Sequence, residues 1–592
     1  MRALHIAGVF LVAGSVFAGC GGGGSSGSHV GAGSNTSSKH AQYTVKVKIP
    51  SASSSSASAV RRAKFVSPSV QSIVVQIFDG STQIVQGTNY VNVTATTANG
   101  ASGCTTGAGG VLCTVVVNAS IATAGSYTIV VATYDAQQTV TCAPGGSPAC
   151  SGNLLSISNL PQQVTPGDTI SLTLGGIPSY LQPVELVSGY ISANSSDMVT
   201  VYGPGPQAIS FEFLDADHNV IIGAGAPTVT PVNNTAGTLT TTVTTSGGSG
   251  LYTLQLAPVT TTVGSLQVVQ AGTVAPQFSV TIPNTTLSAT ITFPITIAHS
   301  ELFVSASVPS PPGTTSIYVY FDGNTTPQYN VYNTGYSPLN LATDINGNVW
   351  GADYGNNKIL EFSAQPASAP SENDAVGTLS EPYSIGFDSS RDAYVGNGSP
   401  FGVVQYSAPS PQSTPNFTTS AFTYSSNPNL DPQGIAFNNS NGTLYVSYYN
   451  YSTTQYSVGS YPSGSSSLTT LYGPGSTVTN GVAIDPLHGD IWFVAGSPTV
   501  VEINPAGTQV GSISGFSSAG VATDSLGNVF ATNSSGGIKE FAAPSFSSPV
   551  TIGSVVAPQS VAVYPNALIG FQSPVGVLPN PTPSPIPIPT PT

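Results

Sequence analysis

The sequence predicts an all-β protein in which two Ig-like β-sandwich modules precede a six-bladed β-propeller. Short segments throughout the chain alternate apolar with polar residues, as in Thr169-Ile-Ser-Leu-Thr-Leu, and this period of two is typical of half-buried strands. No segment between about residues 42 and 180 carries a sustained helical period. From residue 317 onward a strand–turn–strand unit recurs every forty to fifty residues or so, and such a period indicates propeller blades.

The composition bounds the domain count and the class of partner. A chain of 592 residues has room for about three to four domains. Charged residues make up 6% of the chain, with 24 acidic and 10 basic side chains and a net charge of −14. Nucleic-acid binding relies on Lys and Arg that neutralise phosphates, so we expect no nucleic-acid partner. The 65 glycines and the abundant Ser, Thr and Asn suit turns and the exposed faces of strands.

The first 19 residues have the pattern of an export signal. Arg2 precedes an apolar run at residues 6–17, which is too short to span a bilayer. The run ends in Val-Phe-Ala-Gly before Cys20, which resembles a bacterial lipobox, although Phe17 stands where an aliphatic residue is usual. The resemblance implies cleavage after Gly19 and lipidation of Cys20. The alternative is an ordinary signal peptide that is cut at the same bond.

Residues 20–41 then form a lipidated tether, because the stretch after Cys20 is rich in Gly and Ser and such segments are flexible. The expected location is therefore outside the cytoplasm, on the cell envelope, with the membrane as a partner through the lipid anchor. Gly21 resembles an outer-membrane sorting signal for cells with two membranes. No later segment reaches the ~18 apolar residues of a transmembrane helix.

Four further cysteines follow the anchor, and they allow three pairings. Each adjacent pair brackets a Gly-rich turn, and closing such a short loop costs the least chain entropy. Their spacing is wider than that of zinc knuckles. We therefore predict structural disulfides, which persist in an oxidising compartment, rather than a metal site. The predicted pairs are Cys104–Cys113 and Cys142–Cys150.

Residues 42–182 and 183–308 are predicted to form the two Ig-like sandwiches, on their strand pattern and turn spacing. The second contains Asp215-Ala-Asp-His-Asn, the beginning of a calcium-binding loop. An EF-hand requires Glu at the twelfth position, and that position is Ala226. A turn between strands is the favoured interpretation, and calcium at Asp215 and Asp217 is the alternative.

The ends of the repeat region complement each other. A short buried strand that ends in a polar turn residue occurs six times, and the sixth copy, at Val561, is followed by residues 567–571 and a proline-rich tail. The hairpin that begins at Ile317 has no such strand before it. We therefore predict a ring over residues 315–573 that is closed by its N-terminal strands, which removes exposed sheet edges. Residues 574–592 are predicted to be an extended polyproline tail.

These units resemble NHL repeats. The resemblance is carried by Pro432-Gln-Gly-Ile-Ala-Phe-Asn, Asn346-Gly-Asn and Ile538-Lys-Glu-Phe. It implies a propeller of the superfamily that includes gluconolactonase-type lactonases, streptogramin lyases and many non-catalytic binding modules. The motifs are specific to the fold and not to one function.

In such rings the residues just before each first strand lie near the central channel. Here they are uncharged, and four of them are predicted to form a neutral ligand-binding mouth: Tyr383, Gln433, Asn480 and Gln559. A lactonase-like calcium site needs converging carboxylates, whereas the Asp repeated in five blades is best explained as a cap of its own turn. A lyase-like mechanism needs a histidine with a positioned partner, and the single propeller histidine, His488, lies in a turn.

The sequence therefore predicts a non-catalytic binding module with no cofactor and no bound metal, which takes a protein, peptide or glycan ligand. Six tyrosines within residues 445–461 offer flat apolar surfaces with hydrogen-bonding tips. The alternative is that these rings pack between blades. The alternative function is a hydrolase or lyase that acts outside the cytoplasm.

Overall fold

Secondary structure in the computed structural model is almost entirely β-strand. The described residues contain one 3-10 turn, Gly223–Gly225, and no α-helix, which confirms the all-β prediction. No helix in this part of the chain has the length and apolar character needed to cross a bilayer. The predicted signal, Cys20, the tether, residues 569–571 and the proline-rich tail lie outside the described residues. These are 41–49, 66–95, 102–107, 110–120, 124–165, 169–170, 172–188, 191–193, 199–233, 239–245, 250–263, 266–307, 315–327, 329–333, 338–362, 371–373, 379–398, 401–408, 420–424, 429–475, 479–496, 499–515, 517–553 and 555–568.

The first module consists of two sheets that share one core. The five-stranded sheet contains Ala41–Ile49, Val85–Gln86, Gly103–Gly107, Gly110–Ala119 and Thr169–Ile170. The seven-stranded sheet contains Ser72–Asp79, Thr82–Gln83, Tyr90–Asn92, Gly125–Tyr134, Leu154–Ser158, Pro161–Val164 and Gly175–Gly176. Val45 and Val117 of one sheet lie in the same buried cluster as Ile73 and Val131 of the other, as the alternating pattern requires.

The second module has four smaller sheets. They comprise Tyr180–Ser188, Gln207–Leu214, Leu239–Thr245 and Leu251–Pro258; Ile191–Ala193, Val199–Tyr202, Gly272–Val274 and Ile295–Ala298; Thr228–Asn233, Gln277–Thr281 and Ser288–Thr292; and Thr260–Val263 with Leu266–Val269. Phe211, Ile295 and Val280, from three of these sheets, pack in one core. The Ig-like designation of both modules stays a prediction.

Six four-stranded antiparallel sheets follow, each in simple meander order. The first five blades are Pro338–Thr343, Val349–Asp353, Lys358–Phe362 and Ser371–Asn373; Pro382–Phe387, Ala393–Gly398, Phe401–Tyr406 and Ser420–Tyr424; Leu430–Asn438, Thr443–Asn450, Gln455–Tyr461 and Thr469–Gly475; Thr479–Ile484, Ile491–Ala495, Thr499–Ile503 and Gln509–Ser514; and Val521–Thr523, Val529–Thr532, Ile538–Phe541 and Val550–Ile552. The closing blade combines Pro558–Tyr564 with Glu301–Ser307, Thr315–Phe321 and Tyr329–Asn333.

The closing blade joins the two ends of the repeat region. Val304 pairs with Val561 in an antiparallel ladder, which makes Pro558–Tyr564 the innermost strand. The innermost strands of the six blades contact one another in cyclic order, so the sheets form a closed ring. The position of the N-terminal strands differs from the prediction in one respect. Glu301–Ser307, assigned from sequence to the second module, is the second strand of this blade, and the hairpin at Ile317 supplies the third and fourth.

The second module packs directly against the closing blade. Leu266 and Val268, from the hairpin of the second module, share a buried cluster with Phe303 and Val319. The backbone N–H of Val269 donates to Asp322 Oδ2 at 2.9 Å. Apolar burial and this hydrogen bond together hold the module at the side of the ring.

Candidate functional site

The central channel is narrow and uncharged. Its cavity measures about 110 Å³, and the innermost strands line it with residues such as Ile385, Ile435, Val482 and Val561. The described lining contains Asn and Thr but no charged side chain. The described lining therefore offers no group for acid–base chemistry. Polar side chains of the propeller lie instead at one end of the channel, where the innermost strands begin.

At one end of the channel, five of the six innermost strands have a one-residue bulge near their first residue. The bulge leaves Tyr383 and Gln433 unpaired in the second and third blades, and Gln559 is in the same position in the closing blade. A bulge turns the strand and redirects the extra residue. The repeat therefore presents non-paired side chains at one rim of the ring.

The carboxyl group of Asp431 lies beside Gln433 and Tyr451. Asp431 is 2% exposed, and its Oδ2 accepts a hydrogen bond from the Tyr451 hydroxyl at 3.3 Å. Its Oδ1 is buried without a hydrogen-bond partner among the described residues. Burial raises the pKa of Asp431 to about 7, with a further contribution from Glu381. An unsatisfied buried acceptor costs free energy and marks this position as unusual.

Aromatic side chains surround this carboxyl group across three blades. Tyr383 packs on Tyr354 of the first blade with 4.9 Å between ring centroids. Tyr451, which is 49% exposed, stacks on Phe401 at 5.2 Å and meets Tyr449 edge-on at 4.8 Å. Burial raises the pKa of Tyr383, so its hydroxyl stays protonated and can donate. We call these five side chains together with Tyr456, which packs on Tyr449 at 4.6 Å, the aromatic rim.

The six tyrosines predicted as a binding surface thus divide into two groups. Tyr445, Tyr448 and Tyr461 are at most 6% exposed and pack in the blade cores. The other three tyrosines, Tyr449, Tyr451 and Tyr456, belong to the aromatic rim. Position along the hairpin explains the division: Tyr449 and Tyr456 are paired next to the turn and Tyr451 lies in it, whereas the buried tyrosines pack against the neighbouring blades on both faces of the sheet.

The structure brings together two of the four predicted mouth residues. Tyr383 and Gln433 meet around Asp431, whereas Gln559 belongs to the closing blade, which lies across the ring from the third blade. The backbone of Asn480 pairs with that of Val494. The side chain of Asn480 is not part of the described structure. The assignment of these residues to a ligand stays a prediction.

Two acidic residues at this rim were not among the predicted site residues. Asp431 and Glu381 each precede a proline in the first residues of an innermost strand, and the equivalent residue before Pro558 is Ala557. A departure from the repeat in two consecutive blades was the available signal. The rim therefore carries carboxyl groups even though the channel is neutral.

The other candidate catalytic groups are engaged in turns. Oδ1 of Asp344 accepts backbone N–H bonds from Asn346 at 2.9 Å and Asn348 at 3.0 Å. The side chain at the same place in the next four blades does likewise: Asp388, Asn438, Asp485 and Asp524. This confirms that the repeated residue caps its own turn. His488 is largely exposed, and its Nδ1 lies 2.6 Å from Asp485 Oδ2, which raises the pKa of the imidazole.

The possible calcium loop is also a turn. Oδ1 of Asp215 accepts the backbone N–H groups of Asp217 and Asn219, both at 2.9 Å. Asn219 reaches across to Ser67 and Ser69 of the first module. Within the described residues, no three His, Cys, Asp or Glu side chains are arranged to hold a metal ion.

The structure contains both predicted disulfides. Cys104 and Cys113 face each other across adjacent strands, with 4.0 Å between Cα atoms. Cys142 and Cys150 close a second local loop, with a Cα separation of 5.0 Å. The first bond cross-links a hairpin of the first module, and the second closes a loop between two of its strands, Gly125–Tyr134 and Leu154–Ser158.

No family model matches the chain, and no curated protein matches it at a significant level. Among solved structures, a chain of a nidogen/laminin complex is 13% identical, with a TM-score of 0.36, and the match covers 45% of this chain and 98% of that one. A protein of unknown function from Bacteroides thetaiotaomicron is 12% identical, with a TM-score of 0.35 and coverage of 64% and 93%. A streptogramin B lyase is 14% identical, with a TM-score of 0.33 and coverage of 45% and 88%. The propeller assignment rests on the strand pairing within this chain.

Proposed function

We propose that this protein is an envelope lipoprotein whose propeller is a non-catalytic binding module for a glycan. The observation that carries the proposal is the aromatic rim around Asp431. Flat aromatic faces bind the apolar faces of sugar rings, and hydroxyl tips bind their polar edges. The carboxyl group below the rim keeps one oxygen without a hydrogen-bond donor among the described residues.

The geometry supports a hydroxyl-rich ligand in particular. The side chain that covers Asp431 is Tyr451, which lies in a turn and is half-exposed. A sugar ring that displaces the phenol presents neighbouring hydroxyl groups: one replaces the phenol as donor to Oδ2, and another donates to Oδ1 and removes the cost of an unsatisfied acceptor. Glu381 and Asp431 disfavour anionic ligands at the same rim.

Binding without catalysis is supported by the way the reactive groups are used. The repeated turn residues bind their own backbone, and the only propeller histidine among the described residues is held by Asp485 in an exposed turn. A location outside the cytoplasm is supported by the lipobox-like sequence before Cys20 and by the two disulfides, which suit an oxidising compartment.

The test is a glycan and peptide array screened with the purified protein, followed by calorimetric titration of the strongest glycan. We expect saturable glycan binding that Tyr451→Ala weakens about tenfold or more, because truncation of a central aromatic residue in a binding site costs about 2 kcal/mol or more. Tyr180→Ala is the matched control, since Tyr180 is a partly exposed tyrosine of the second module. Glycan binding that survives Tyr451→Ala, or array signals confined to peptides, would refute the proposal.

A further inference from the structure

A buried guanidinium group joins the first two blades. Arg391, in the turn of the second blade, places its Nε 2.8 Å from Asp344 Oδ2 and its Nη2 3.2 Å from Glu361 Oε1. Its Cζ lies 5.6 Å from the centre of the Trp350 ring. The cation thus sits between a turn aspartate and a third-strand glutamate, over an aromatic ring.

The fifth blade repeats this set of acceptors. Asp524 is its turn aspartate, and Glu540 pairs with Phe530 across the second and third strands as Glu361 pairs with Trp350. Phe530 follows Asp524 by the same number of residues as Trp350 follows Asp344. The next blade in the ring is the closing blade, whose first two strands, Pro558–Tyr564 and Glu301–Ser307, are not joined by a turn. Ser300 precedes the second strand there, and the nearby His299 is held by Asp322.

Between the fifth and closing blades, a cavity lies at the place that corresponds to the guanidinium group of Arg391 between the first two blades. It measures about 220 Å³ and is lined by Asp524, Glu540 and Phe530 from the fifth blade, and by Glu301 and Tyr564 from the closing blade. A cavity of about 150 Å³ already admits a molecule the size of benzene. No Lys, Arg or His is found among the described residues that line it.

Three polar groups that line this cavity lack partners, whereas Asp524 Oδ2 accepts a hydrogen bond from Asn528 Nδ2 at 2.8 Å. Glu540 and Glu301 make no hydrogen bond or ion pair within the described part of the chain, and the hydroxyl of Tyr320, which is 2% exposed, has no partner there. Burial raises the pKa of Glu540, with a contribution from Asp524, and raises that of Glu301 to about 8. A bound cation would stabilise the ionised forms.

We propose that this cavity binds the guanidinium group of a ligand between Asp524 and Glu540, over the ring of Phe530. Arg391 shows that the blade geometry accepts this group at the equivalent place. The rest of the cavity, next to Glu301 and Tyr320, takes a short aliphatic chain with a hydrogen-bonding end. The scattered carboxylates favour an organic cation over a metal ion, since the described residues hold no metal-ligating cluster.

The test is calorimetric titration with agmatine and with N-carbamoylputrescine, its analogue in which a neutral urea replaces the guanidinium. We expect agmatine to bind saturably and the urea analogue to bind more than about tenfold more weakly, because a charged pair is lost. N-acetyl-arginine methylamide forms a second arm. Binding of this compound alone would identify the ligand as an arginine side chain of a polypeptide rather than a free guanidine.

Glu540→Gln keeps the shape of the side chain and should weaken binding about tenfold or more. Glu502→Gln is the matched control, because Glu502 occupies the same strand position in the fourth blade, paired with Trp492, and does not line the cavity. Thermal melts of both variants verify folding. The proposal is overturned if neither guanidine binds saturably, if the urea analogue binds equally well, or if the two variants lose equal affinity.

Discussion

Val304 pairs with Val561, so the last described strand of the chain hydrogen-bonds to the first strand of the propeller. This pairing completes the sixth sheet, so every innermost strand of the ring has a neighbouring blade on both sides. The closing blade therefore depends on both ends of the propeller segment. The cavity beside this blade and its contact with the second module depend on them too.

Deleting residues 558–592 removes the innermost strand of the closing blade. We expect the ring to open, with loss of cooperative unfolding of the propeller in urea and exposure of the apolar face of Val304, because the deleted strand covers that face. Deletion of residues 574–592 is the control and should leave the urea transition unchanged. An unaltered transition in the longer deletion would contradict ring closure by this strand.

Much of this architecture could be predicted from the sequence, because the repeat is local. Turn caps such as Asp344 and strand alternation act within one blade, and the two disulfides close short loops. The strand Glu301–Ser307 was missed because its alternating pattern matches that of the preceding module and carries no repeat motif. Contacts between blades, such as Arg391 with Asp344 and the rim around Asp431, could not be predicted. They join residues of different repeats, and the pattern within one repeat does not show which side chains meet across a blade junction.

Arg391 stabilises the junction between the first two blades. It adopts a left-handed φ of 70° at a place where two other blades have glycine, Gly347 and Gly527, and this backbone cost is offset by the paired carboxylates. Arg391→Met leaves Asp344 and Glu361 without their cation. We expect a loss of about 3–5 kcal/mol, measured as a lower urea midpoint at pH 7.

Lys539→Met is the control for that experiment, since Lys539 donates to Thr551 on an exposed surface. An exposed pair of this kind contributes little. Equal effects of the two substitutions would show that the buried ion pair has no special role.

Several carboxyl groups hold protons in the folded protein at pH values where the unfolded chain has released them. Burial raises the pKa of Glu301 from 4.5 to about 8, that of Glu502 to about 7, and that of Asp431 from 3.8 to about 7. Their stabilising contribution is complete below about pH 4 and is lost as the pH rises through these values. We therefore expect a lower melting temperature at pH 8.5 than at pH 5.5.

The triple variant Glu301→Gln, Asp431→Asn, Glu502→Gln should flatten this dependence, because amides do not titrate. Calorimetric melts in buffers of matched ionic strength measure it. A melting temperature that rises between pH 5.5 and 8.5 in the unmodified protein would contradict the assignment of these raised pKa values.

The lipobox-like sequence predicts that Cys20 anchors the protein. We expect Cys20→Ser to move the protein from the detergent phase to the aqueous phase in Triton X-114 partitioning of expressing cells, because the acyl chains supply the membrane affinity. Ser28→Ala in the tether is the control. Detergent partitioning that persists in Cys20→Ser would indicate another mode of attachment.

The central claim is that the aromatic rim around Asp431 is a glycan-binding site. The most direct measurement is a crystal structure of the protein with the strongest glycan from the array. The account predicts a sugar ring stacked on Tyr451 or Phe401, with a hydroxyl group donating to the Asp431 carboxyl group. Density for the glycan elsewhere on the propeller, with the Tyr451–Asp431 hydrogen bond intact and the rim empty, would contradict it.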